Sequence, residues 1–226
     1  QSLKKRLEFI YDRGELRDAN FIMLGDDDLF SVAIALTGLA GRITVLEIDK
    51  EIIELIRGIA KERGLGIEAI EYNAANALPK ELASKFDVAV TEPPETEKAL
   101  QVFLSRSAQA LKESGSIYFG LTEIECSSRT WLSVQKTLNG MGFVLTDILR
   151  NHTEYPETYI RDKEGYYKKM RMMKDAPFPL KLYTKEKWYR SSFLRAKLVG
   201  KAKPAIEKAV EFGPGFYQNE DAVTIE

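Results

Sequence analysis

Five apolar runs of strand length, each but the third handing over to a stretch of helical period, constrain this chain more than any other feature. Phe21-Ile22-Met23-Leu24 is followed by an acidic turn and by residues 30–39, whose apolar spacing suits a helix ending at Gly41. Ile43-Thr44-Val45-Leu46 begins the next strand, with Glu47-Ile48-Asp49 at its end, and Ile52, Ile53, Ile56 and Ala60 form a helical stripe closed by Gly64. Residues 67–72 make a third strand and 86–90 a fourth. Residues 97–112 then read as a helix with Leu100, Phe103, Leu104 and Leu111 inward, and 116–121 as a strand after Gly115. Serial alternation implies an α/β fold, a mostly parallel sheet with helices on both faces. After a helix holding Trp131, Val134 and Leu138, residues 143–149 begin an antiparallel hairpin whose returning strand is expected at 180–183.

The 226 residues suffice for one such domain and an appendage. A formal net charge of -1 argues against a dedicated nucleic-acid binder, and the single Cys126 excludes an intrachain disulfide and fits a reducing, cytoplasmic setting. No apolar run approaches the length of a membrane span, and the abundance of Lys and Glu is the composition of a thermophile's protein. Between the late strands, residues 155–174 interleave Tyr155, Tyr159, Tyr166 and Tyr167 with Arg161, Lys163, Lys168, Lys169 and Arg171. That stretch reads as a long mobile insertion, near 153–178. A lid over the strand ends, a solvated loop and a phosphate-touching segment are its three readings.

Open α/β sheets bind ligands at the carboxyl ends of their strands, and four segments fall there. The first is Gly25-Asp26-Asp27-Asp28. It lacks the G-x-G-x-x-G fingerprint, and three adjacent negative charges repel a pyrophosphate, which argues against NAD and FAD. A nucleoside with a cationic tail fits, the sulfonium of S-adenosyl compounds among them. Helix capping by Asp27 or Asp28 explains one carboxylate but not three, and crowding raises the pKa of at least one toward a proton acceptor. The second segment holds Glu47, a candidate for the ribose hydroxyls, and Asp49, better explained as a helix N-cap. The third is Asn73-Ala74, suited either to an adenine edge or to a plain turn. The fourth is Glu92-Pro93-Pro94-Glu95, a rigid turn fit to frame a reactive amine. His152 follows the sixth strand and faces the acceptor in this reading; a structural role is the plainer one. Consecutive aspartates do not all face one ion, so no metal is expected.

These residues resemble a known family. Leu7-Glu8-Phe9-Ile10-Tyr11-Asp12-Arg13-Gly14, Gly25-Asp26-Asp27-Asp28-Leu29-Phe30-Ser31, Val45-Leu46-Glu47-Ile48-Asp49 and the proline pair look like the N4-bis(aminopropyl)spermidine synthases, the branched-chain polyamine synthases of thermophiles. The resemblance implies a Rossmann-like, class I methyltransferase-type fold. It also implies transfer of aminopropyl groups from decarboxylated S-adenosylmethionine, a co-substrate rather than a tightly bound cofactor, to the secondary amine of spermidine. Asp27, then Asp26, is the expected base, with Glu92 beside them. Gly25, Asp28, Glu47, Asp49, Asn73 and Ala74 are expected to hold the donor, and Asp26, Glu92, Pro93, Glu95 and His152 the polyamine. The family carries Asp-Pro-Pro, an aromatic residue and Thr where this chain has Glu92-Pro93-Pro94-Glu95-Thr96, which moves one carboxylate by a methylene and removes an apolar wall. Residues 1–20 read as a helical lead-in, 21–200 as the catalytic domain and 201–226 as a tail. A chain opening on Gln1 reads as a fragment, without the small winged-helix-like domain that the family places ahead of it. The reading leaves room for a homodimer and makes nucleic acid and membrane poor partners. A methyltransferase acting on nucleic acid or protein is the alternative, and a non-catalytic binding module the third.

Overall fold

The computed structural model describes residues 2–122, 126–154, 177–179, 189–213 and 215–217. Its strands are β1 (Phe21–Leu24), β2 (Ile43–Glu47), β3 (Ile67–Glu71), β4 (Phe86–Thr91), β5 (Leu111–Thr122), β6 (Phe143–Glu154) and β7 (Arg190–Leu198). They form one sheet in the order β3-β2-β1-β4-β5-β7-β6, parallel from β3 to β5 and antiparallel where β7 runs between β5 and β6. This is the Rossmann-like, methyltransferase-type topology. The helices are α1 (Ser2–Asp12), α2 (Phe30–Leu36), α3 (Lys50–Arg63), α4 (Glu97–Ala110) and α5 (Ser128–Met141).

Side-chain alternation along β1 divides the core in two. Phe21 and Met23 join Ile10 of α1, Phe30 and Ile34 of α2 and Ile56 of α3, whereas Ile22 and Leu24 join Leu100 and Leu104 of α4 and Val134 and Leu138 of α5. A strand buried on both faces has no polar side to show, which is why β1 is a continuous apolar run. The order reverses between β1 and β4. There the loops after the two strands diverge to opposite faces and leave a crevice at their carboxyl ends.

Several expectations need correction. Residues 30–39 are not one helix: α2 stops at Leu36, where the Thr37 hydroxyl donates to the Ile34 carbonyl at 2.6 Å and Gly38 turns the chain at φ +63. Gly41 does not end the helix but lies against Asn20, where a Cβ would meet Oδ1 at 2.8 Å. Leu111 is inward, but as the first residue of β5, because the backbone is already extended there. Thr153 and Glu154 belong to β6, so no insertion starts at 153. Residues 155–176 and 180–188, including the proposed lid and the returning strand at 180–183, lie outside the described residues; β7 is the described partner of β6.

The C-terminal segment is more than a tail. Val210 N–H donates to the Ala75 carbonyl at 2.8 Å, and the buried Arg106 guanidinium donates to the carbonyls of Ile206 (2.9 Å) and Lys208 (2.8 Å). Phe216 is fully buried and accepts a hydrogen bond from Thr96 at its carbonyl. Among the described residues no helix is long and apolar enough to cross a membrane.

A carboxylate just beyond α1 ties that helix to the late strands. Glu15 takes two hydrogen bonds from Arg195 (2.6 and 2.9 Å), and others from Lys197 (2.8 Å), Ser116 (2.7 Å) and Tyr118 (2.6 Å). Burial opposes its charge, but these donors outweigh that cost and lower its pKa from 4.5 to about 2. A depressed folded-state pKa means stability that is complete above the unfolded value and lost as pH falls through the folded one. Glu15→Gln is therefore expected to cost roughly 2–3 kcal/mol at neutral pH, somewhat below a fully buried pair because Lys197 keeps partial access to water. In urea unfolding the gap between wild type and variant narrows as the pH falls from about 4.5 toward 2. An unchanging gap would contradict this account.

Candidate active site

The turn after β1 is built around Gly25, whose φ of +79 suits a residue without Cβ and whose N–H donates to the Leu46 carbonyl at 2.9 Å. Asp26 turns inward, is 3% exposed, and accepts from the Ser31 N–H at 3.1 Å and from the Ser31 hydroxyl. Asp28 accepts from the Phe30 N–H at 3.2 Å. Leu29, the residue ahead of α2, sits at φ +59 and offers no side-chain cap, so Asp26 and Asp28 supply acceptors for the first turn instead. Asp27 remains exposed and hydrogen-bonds no other side chain among the described residues. The capping explanation thus accounts for two carboxylates and leaves one over.

Asp26 and Asp27 are both shifted upward, by loss of hydration first and by crowding second. Burial is the main cause at Asp26, pushed up to about 7 despite the Ser31 donors. Asp27 keeps its surface open to water, but the walls of the crevice strip part of its hydration, and that partial desolvation again leads, with the charge of Asp28 adding to it.

Glu47 ends β2 and is 6% exposed. Its carboxylate accepts from three backbone N–H groups: Asp26 at 3.0 Å, Ile48 at 2.7 Å and Asp49 at 2.9 Å. It therefore locks the turn after β1 to the turn after β2. Asp49 is the N-cap of α3, accepting from Glu51 at 2.8 Å and Ile52 at 3.5 Å, and it also lines the crevice. Asn73 closes its own turn through Oδ1, which accepts from Ala75 N–H at 2.9 Å, while the Ala74 carbonyl accepts from Arg106 Nε at 3.2 Å.

These turns surround a cavity of about 330 Å³ at the carboxyl ends of β1, β2 and β4, lined by the carboxylates Asp26, Asp27, Asp28, Glu47, Asp49 and Glu92. A narrower cavity of about 70 Å³ shares Gly25, Glu47 and Phe103 with it and reaches Asn73, Ala74, Phe212 and Tyr217. The topology thus gathers Gly25, Asp26, Asp27, Asp28, Glu47, Asp49, Asn73, Ala74 and Glu92 around two adjoining spaces. Phe212 and Tyr217, from the segment read as a tail, complete the smaller one.

Three expected polyamine contacts, Pro93, Glu95 and His152, line neither cavity. Glu95 is turned away into β5, where both oxygens accept from Thr122, from its N–H at 2.6 Å and its hydroxyl at 2.9 Å. Only Glu92 of the two turn carboxylates lines the larger cavity, and Pro93 is buried. His152 does not follow a strand but lies within β6. It stacks on Phe193 at 5.6 Å between centroids, outside both cavities, and burial first, then Lys5 and Arg6, lower its pKa. The alternation of side chains on a strand that continues to Glu154 sets that direction.

The residue that sequence reasoning passed over is Arg6. It is 2% exposed on α1 and reaches Asp28 at 2.6 Å and Glu92 at 2.5 Å, with Nε donating to the Thr153 hydroxyl at 3.2 Å. A signal was present: Leu3, Arg6, Leu7 and Ile10 share one helical stripe, and a charged residue on an inward stripe calls for a buried partner. Gly120 leaves room for the arrangement, since a Cβ there would come within 3.2 Å of Glu92 Oε1.

Residues 1–224 match the family model described as the branched-chain polyamine synthase A C-terminal domain. The chain is 35% identical over 222 residues to the N4-bis(aminopropyl)spermidine synthase of Thermococcus kodakarensis, covering 97% of this chain and 61% of that protein. It spans about three-fifths of the length of the curated relatives it matches first. Among solved structures it superimposes, with a TM-score of 0.84 and 31% identity, on the branched-chain polyamine synthase from Thermus thermophilus in complex with N4-aminopropylspermidine and 5'-methylthioadenosine, covering 99% of this chain and 62% of that one. A putative RNA methyltransferase from Pyrococcus horikoshii, at 17% identity and a TM-score of 0.61, shares the fold.

Proposed function

Since this chain belongs to the branched-chain polyamine synthase A C-terminal domain family, we propose that it transfers aminopropyl groups from decarboxylated S-adenosylmethionine to the secondary amine of spermidine. The observation that carries this reading is the excess of carboxylates in the 330 Å³ cavity, with Asp27 left unengaged by other side chains among the described residues. Adenosine occupies the smaller cavity beside Asn73, Ala74, Phe212 and Tyr217, with its ribose at Glu47. The sulfonium arm enters the larger one.

The chemistry needs little from the protein except charge and position. The amine lone pair attacks the aminopropyl carbon bonded to sulfur, a C–N bond forms, and the C–S bond breaks with its electrons passing to sulfur. Methylthioadenosine leaves as a neutral thioether, so no acid is required. The nitrogen must shed a proton, and Asp27 accepts it, its raised pKa bringing it closer to that of its task. Glu92 holds a second ammonium of the polyamine from the opposite rim. An acidic cavity also discriminates between donors: it repels the carboxylate of S-adenosylmethionine and tolerates the decarboxylated form.

Incubation with decarboxylated donor and spermidine should release methylthioadenosine and yield spermidine enlarged by aminopropyl groups, read by mass spectrometry. Titration calorimetry with each donor form provides the countertest. Tight binding of S-adenosylmethionine together with negligible binding of the decarboxylated compound would favour methyl transfer and end this proposal.

A further inference from the structure

Six carboxylates around one cavity pose a problem for the reaction proposed above: they would hold every amine of a bound polyamine in its protonated, unreactive form. Among the described residues that line the cavity, one buried cation stands against them. Arg6 is nearly devoid of solvent contact, and its guanidinium lies against the rings of Phe30 (5.6 Å) and Phe193 (5.5 Å). Packing alone would be served by an aliphatic residue such as the Leu3, Leu7 and Ile10 of the same stripe, and burying a charge is costly unless it is paired. Here the pairing spans the switch point: one arm of the guanidinium meets Asp28 after β1 and the other meets Glu92 after β4, while Nε is anchored on Thr153 of β6.

We infer that Arg6 is a positioning residue that sets the charge of the acidic cavity, neutralising Asp28 and Glu92 so that the attacking amine at Asp27 can lose its proton. The inference rests on the aminopropyl-transfer reading. Among the described residues, the other titratable groups that feel the guanidinium are Asp27 from the turn after β1 and His152 on β6, and His152 also feels Lys5. The neighbouring charges of Glu154 and Arg190 pair with each other at 3.4 Å. The guanidinium offsets part of the upward shift at Asp27 and adds to the downward shift at His152, which agrees with a cation felt at both. A fork joining two loops also fixes the distance between them, which a flexible ammonium would do less well.

The test compares Arg6→Gln, Arg6→Lys and Thr153→Val with wild type, each first verified as folded by circular dichroism. Arg6→Gln is expected to move the acidic limb of kcat upward by roughly one pH unit, read as a roughly tenfold loss at fixed pH on that limb. The KM for spermidine should stay level or fall, because the site becomes more negative. Arg6→Lys should return the limb to its wild-type position with kcat only partly restored, and Thr153→Val should fall between. A kcat loss with raised KM and an unmoved limb would overturn the inference and leave Arg6 a structural residue. Should Arg6→Gln fail to fold, Arg6→Lys and Thr153→Val decide by the same limb. Proton release on spermidine binding, measured by calorimetry in buffers of different ionisation enthalpy, separates this inference from the one it rests on. A wild type without transfer activity sinks the proposed reaction, whereas equal proton release in wild type and Arg6→Gln sinks the role of Arg6.

Discussion

Asp27→Asn is expected to lower aminopropyl transfer by roughly 10²–10⁴-fold, the contribution typical of a positioned general base. Stability should hardly change. Asp27 is exposed and hydrogen-bonds no other side chain among the described residues, so its loss removes a repulsion by Asp28 rather than a support. Asp26→Asn is the informative companion. Asp26 is buried and holds Ser31, and its pKa is raised to about 7. A carboxyl whose folded pKa lies above its unfolded value of 3.8 contributes its stability fully below that value and loses it as pH rises through about 7. The asparagine variant lacks this loss and should gain on wild type over that window in thermal unfolding. It should also keep most of its kcat. If Asp26→Asn is inactive, Asp27→Asn is active and the acidic limb of wild type lies near 7, the two residues exchange roles.

The second large effect is expected at Glu47. Its three backbone donors each make a charge-assisted bond, of a kind worth about 1.5–3 kcal/mol. Glu47→Gln turns one acceptor atom into a donor that faces an N–H, so the turns after β1 and β2 lose their common anchor. Methylthioadenosine binding should weaken by roughly 100-fold, about 2.7 kcal/mol, in titration calorimetry. Most of that loss comes through the displaced Gly25 turn and the rest through the ribose. Unchanged affinity in the folded variant would remove Glu47 from the donor site.

The legible part of this protein is the part written locally. Phe21 to Leu24 is apolar at every position because both faces of β1 are covered, and the alternation of such runs with helical stripes announces a parallel sheet without any contact being known. Asp49 was readable as a cap from its place before Lys50 and Glu51, and raised pKa values in the Asp26 to Asp28 turn were readable in direction, although burial contributes more to them than the crowding that announced them. The less legible part is direction. Glu92 and Glu95 are three residues apart with the same chemistry, yet one lines the cavity and the other is spent on Thr122 of β5. Nothing in a linear pattern says which way each side chain of a Pro-Pro turn points. The C-terminal segment is similar: with little period of its own, it is held by the Arg106 guanidinium from α4, and so brings Phe212 and Tyr217 to the smaller cavity.

The sequence by itself determined the parallel part of the sheet, the acidic turn after its first strand and, through the family resemblance, the reaction expected there. Hydrophobic period and turn chemistry are short-range properties, and they survive being read one residue after another. Only the tertiary structure decided the charge balance among the described residues of the site, because Arg6, which pairs with Asp28 and Glu92, stands on α1, 22 residues before the one in sequence and farther still before the other. Electrostatic energy depends on distance through space, and that distance exists only once the helix has packed against the crevice.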